Sequence, residues 1–190
     1  MARRPNKLIP DSFTAVPSQL APATVRVVDV LDAVDAVGVL VHAQGTVDAT
    51  LGLSRAALER AGFTAAVGTV LVLAREDAPL LVAVGGGELA DQDEASLRDA
   101  AAAFGRATST SRRIGLRVPE LGDVGAAAAA QALTEGAVLS RYRYTELQAS
   151  RKDVDLAELQ LVLTGADQAQ ASAGAAACWA STAAAPRSPG

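Results

Sequence analysis

At 190 residues, half of them hydrophobic, the chain is long enough to bury one substantial core and short for two. A formal net charge of −4 gives no electrostatic case for nucleic-acid binding by the chain as a whole, and a single Cys (Cys178) with a single His (His42) excludes both an intrachain disulfide and a Cys/His zinc site. With three Phe, two Tyr and one Trp, the core has to be built from Ala, Val and Leu, which demands close approach of helix to sheet.

Residues 1–23 hold Pro5, Pro10, Pro17 and Pro22 and little periodicity, and read as a flexible leader. The basic start is followed by no apolar stretch of the signal-peptide kind, and no run of about 18 apolar residues follows anywhere, so the expected location is the cytoplasm, with no membrane span. Val25 to Val30 is β-branched and partly alternating, the pattern of an edge strand. Asp32 and Asp35 mark a turn. Ala36 to His42 is a continuous apolar run, as in a strand buried on both faces.

A first helix is expected over Asp48–Ala61, with Leu51, Leu58 and Ala61 on one face, a second local start at Ser54 and release at Gly62. Thr69 to Leu73 and Leu80 to Val84 read as strands. The turn at Asp77-Ala78-Pro79 is too short for a crossover, so the two should form an antiparallel hairpin. A second helix starts near Asp93-Glu94 and runs to Arg106 with the stripe Leu97, Ala101, Phe104. Arg112 to Val118 alternates and reads as a strand with one wet face. A third helix, Val124 to Tyr142, contains the helix-favouring run Ala126 to Ala130, and Leu156 to Leu163 is the last strand. This order predicts an α/β fold: three layers, α/β/α, around a mixed central sheet over residues 24–165. Residues 166–190 read as a tail, the start of a helix near Asp167 and then disorder, because Cys178-Trp179 and the late prolines continue no apolar face.

Few residues invite chemistry. Gly85-Gly86-Gly87 could cradle a phosphate, but without a Gly-x-Gly-x-x-Gly or a P-loop Lys a tight turn is the stronger reading. His42 reads as a strand-end histidine bonded to backbone, not an acid or base, and Cys178 as an incidental thiol. Arg141, Tyr142, Arg143 and Tyr144 could stack on and contact nucleic acid. Covering a core edge, or pairing with Glu146, is the commoner use of such a cluster, so nucleic acid is not the expected partner.

Four stretches together carry a family resemblance: Val37 to His42; Leu71-Val72-Leu73 through Leu80 to Gly87; Gln131 to Tyr144 with its Glu135-Gly136-Ala137; and Leu159 to Leu163. In order and spacing they resemble the N-terminal domain of the M17 leucyl aminopeptidases, the cytosol aminopeptidases. The resemblance implies a macro-domain-like fold and a part in assembling a hexamer. It also implies an enzyme that removes N-terminal residues from peptides with two divalent metals, Zn or Mn, held in a second, catalytic domain. That domain's signatures, Asn-Thr-Asp-Ala-Glu-Gly-Arg, Lys-Gly-Ile and Asp-Thr-Gly-Gly, do not occur here, so no residue is carried over as catalytic, cofactor-binding or metal-binding. The expectation is a non-catalytic assembly and stability domain, not an enzyme as this chain and with no cofactor of its own, in a shortened chain. Residues after about Ala177 would leave the family's pattern, as a shift of reading frame would make them. Its expected partners are further copies of itself or the missing catalytic domain. The alternative is a stand-alone macro-like module binding a nucleotide or ADP-ribose.

Overall fold

The apolar run at residues 36–42 becomes the central strand because both of its faces find cover. The computed structural model describes residues 23–76, 79–142 and 154–183. It contains β1 (Thr24–Val27), β2 (Ala36–His42), β3 (Val70–Leu73), β4 (Leu80–Gly87), β5 (Arg113–Val118) and β6 (Glu158–Leu163) in one six-stranded sheet of order β1-β6-β5-β2-β4-β3. Among the described residues β3 alone runs antiparallel, paired with β4 across the short turn; the other pairings are parallel. The sheet is therefore mixed, as the order of elements predicts. Its helices are α1 (Arg55–Arg60), α2 (Glu94–Ala107), α3 (Ala126–Leu139) and α4 (Gln168–Ala183).

Alternation along the strands sorts side chains into two cores. Ala36 and Leu40 of β2, Val82 and Val84 of β4, Ile114, Leu116 and Val118 of β5, and Leu159, Leu161 and Leu163 of β6 face α2, α3 and α4. Val39, Val41, Leu81 and Ala83 face the other way, against Leu51, Leu58 and Phe63. Helices thus cover both faces, three on one side and the short α1 on the other, which completes an α/β/α arrangement. Phe104, on α2, is the largest of the fully buried side chains. It fits because β2 carries Gly38 beneath it, where a Cβ would come within 2.8 Å of the ring.

The helices form where local chemistry starts them. Asp93 caps α2 by accepting from the Ser96 N–H at 2.7 Å, and the Ser96 hydroxyl oxygen accepts from the Asp93 N–H at 3.0 Å, a reciprocal capping box. Ser54 caps α1. The single helix expected over Asp48–Ala61 is broken in two. A 3₁₀ turn at Ala49–Leu51, capped by Asp48, ends at Gly52 in the left-handed region, and α1 restarts from Ser54. Leu51 and Leu58 are buried as expected, but Ala61 is exposed and Phe63 takes its place in the core.

Three further differences have physical causes. β5 is less wet than expected: it lies between β2 and β6 with Leu31 packed over a buried Gly115, so that on its second face Arg113 alone is exposed and Arg117 is half-buried. The first strand ends at Val27, after which the chain turns over the sheet. There Gln160 holds Asp32, its amide oxygen accepting the Asp32 N–H at 2.9 Å and its amide nitrogen donating to the Asp32 carbonyl at 2.8 Å. The tail is helical through Cys178 to Ala183, and α4 packs on α3 with Ala171 and Ala175 buried. It lacks a stripe of large apolar residues because its buried face is made of Ala and Gly.

That smallness is what α3 depends on. A Cβ at Gly136 would stand 2.1 Å from the Arg98 carbonyl oxygen of α2, and one at Gly174 of α4 would stand 2.0 Å from the Ala127 carbonyl oxygen. Backbone meets backbone at both contacts, and neither can yield as a flexible side chain would. Gly136→Ala gains about 1 kcal/mol of helix propensity. It loses about 1–3 kcal/mol to overpacking, and the short distance to backbone puts it at the top of that range. We expect net destabilisation of about 1–2 kcal/mol, read as a lowered midpoint in urea unfolding with an unchanged slope. A raised midpoint would contradict the packing argument.

Candidate functional site

Strands β5, β2 and β4 are parallel neighbours, so their carboxyl ends open on one edge of the sheet. The chain leaves β2 toward α1 on one face, and leaves β4 and β5 toward α2 and α3 on the other. Such a parting of loops is where open α/β sheets form crevices. His42 ends β2 and is 7% exposed. Its Nε2 lies 3.4 Å from the Glu120 carbonyl oxygen, an acceptor, and Nδ1 has no partner among the described residues. The ring lies over Gly86, where a Cβ would approach Nδ1 to 3.1 Å. Gln92, 8% exposed, follows the 3₁₀ turn Leu89–Asp91, and neither its amide oxygen nor its amide nitrogen has a partner among the described residues. A Cβ at Gly122 would come within 3.8 Å of the Gln92 Cβ, so the loop through residues 120–122 runs close to both His42 and Gln92.

The opposite side of the edge is fully engaged. Arg55 of α1 donates to the carbonyls of His42 at 2.9 Å, Ala43 at 2.8 Å and Gly45 at 3.0 Å, which pins the chain as it leaves β2. Asp48 accepts from Arg117 Nε at 2.8 Å and from the Thr50 N–H at 2.8 Å. Burial opposes the Asp48 charge, but the Thr50 hydroxyl and N–H and the Arg117 guanidinium together outweigh it and hold the carboxyl below its ordinary value of 3.8.

The family described as the cytosol aminopeptidase family, N-terminal domain, matches residues 34–151. The chain belongs to this family. Among solved structures, the bottromycin maturation enzyme BotP is 33% identical, with 78% of this chain and 31% of that one covered at a TM-score of 0.57. BotP in complex with Mn is likewise 33% identical, over 78% of this chain and 30% of that one, at 0.56. A tomato leucine aminopeptidase mutant is 16% identical, over 84% and 36%, at 0.66, a likeness of fold. The chain spans about a third of the length of these structures. Among curated proteins no match is found.

Within this cytosol aminopeptidase N-terminal domain, the residues singled out by sequence fall in different places. Gly85, Gly86 and Gly87 belong to β4 itself, three residues beyond the expected strand end. A Cβ at Gly85 would stand 2.0 Å from the Ala66 carbonyl oxygen, and Gly87 has φ +72, so close approach and backbone shape account for two of the three. His42 joins them at the same edge. Cys178 lies elsewhere, on α4: burial, and then the negative charge of Glu135, push its thiol up, which opposes a nucleophilic role. Glu135 itself is held low, first by the Gln131 amide and also, against burial, by Arg98, in a link between α2 and α3. Arg141 turns inward and donates to the carbonyls of Gly105, Thr108, Ser111 and Val154, so it ties the end of α2 to the neighbouring loops. Tyr142 is exposed; Arg143, Tyr144 and Glu146 lie outside the described residues.

Gln92 is the residue that sequence reasoning misses. It lies outside every periodic stretch, and nothing in its neighbours Asp91 and Asp93 marks it for burial. Among the described residues no group of three His, Cys, Asp or Glu could hold a metal ion, and no helix is long and apolar enough to cross a membrane. The edge can accept and donate hydrogen bonds through His42 and Gln92; among the described residues no hydrogen bond there pairs a nucleophile with a base.

Because the carboxyl of Asp48 is held low in the folded chain, its contribution to stability is complete above the ordinary value of 3.8 and is lost as pH falls through the lowered one. Asp48→Asn should cost about 1 kcal/mol at neutral pH, since a charge-assisted pair and a turn cap are weakened together. Unfolding measured against pH should show wild type and variant converging in acid. A constant difference down to pH 2 would contradict the assignment.

Proposed function

We propose that this chain acts as the non-catalytic N-terminal domain of a metal-dependent aminopeptidase, contributing assembly and stability. In this reading the chemistry belongs to a catalytic domain with two divalent metals, Zn or Mn, that removes N-terminal residues from peptides. The carrying observation is the match of residues 34–151 to the family's N-terminal domain in a chain spanning about a third of BotP and of the tomato enzyme. The use of Arg55, Asp48 and Arg117 in holding loops supports it. The Mn in one BotP structure supports the choice of metal for the longer enzyme. Its partners would be the catalytic domain and other copies, and its location the cytoplasm, after the family's description.

A second reading, a stand-alone module for a nucleotide or ADP-ribose, draws on one observation: the buried Nδ1 of His42 and amide of Gln92, at the carboxyl edge of the sheet, lack partners among the described residues. One preparation separates the two. Purified protein given a leucine chromogenic amide with Mn²⁺ or Zn²⁺ should show no turnover, and calorimetric titration with ADP-ribose should show no heat. Chelator-sensitive turnover that tracks the protein overturns the first reading. Heat of binding that Gln92→Leu abolishes favours the second.

A further inference from the structure

We draw no further inference here: the strongest candidate, the buried Nδ1 of His42 and amide of Gln92 at the carboxyl edge of the sheet, beside loops that carry the exposed Glu88, Asp91, Glu120 and Asp123, belongs to the site already described, and nothing in the structure shows what ligand would reach it.

Discussion

Backbone-to-backbone contact at α3 is the constraint from which the helical layer follows. At Gly136 the helix touches the carbonyl of Arg98, and at its other end the Ala127 carbonyl is touched by Gly174. A chain with few aromatics cannot fill a wide gap between helix layers, so the gap has to be narrow. Ala100, Ala101, Ala129, Ala130, Ala132, Ala137, Ala171 and Ala175 then serve as core residues, each adding little buried area. Phe104 is the exception in size, and Gly38 makes room for it.

The carboxyl edge of the sheet depends on the same economy. Gly85 admits the Ala66 carbonyl and Gly86 admits the His42 ring, so the loops close over the ends of β2, β4 and β5. Closure there takes His42 and Gln92 out of water together. A buried amide without a partner costs about 1–3 kcal/mol, and among the described residues His42 Nδ1 and the Gln92 amide are buried without one. Arg55, Asp48 and Arg117, on the α1 side of this edge, are held in structural bonds.

The strands were legible because Ala36 to His42, Leu80 to Val84 and Leu159 to Leu163 are apolar beyond any helical period. The hairpin was legible because its turn is too short for anything else. The break at Gly52 was half legible: Ser54 announced a new start, but the Leu51 and Leu58 spacing suggested one helix. Arg113 and Arg117 made β5 look wet, yet Arg117 ends in the Asp48 pair and the strand is central. Helix α4 was misread past Ala177 because hydrophobic patterning looks for large residues, whereas this helix is held by absence of bulk at Gly174 and Ala171. The site was legible only in part: His42 and the glycines could be named, but Gln92 becomes visible only when the loops after β4 and β5 meet.

If close contact of α2, α3 and α4 holds the domain together, those helices should open as one unit. Native-state hydrogen exchange on the full chain tests this most directly. The account predicts that amides of Ala171 and Ala175 in α4 exchange with the same opening free energy as Leu133 in α3 and Ala101 in α2. Exchange of α4 at loop-like rates, while α2 and α3 stay protected, would contradict it.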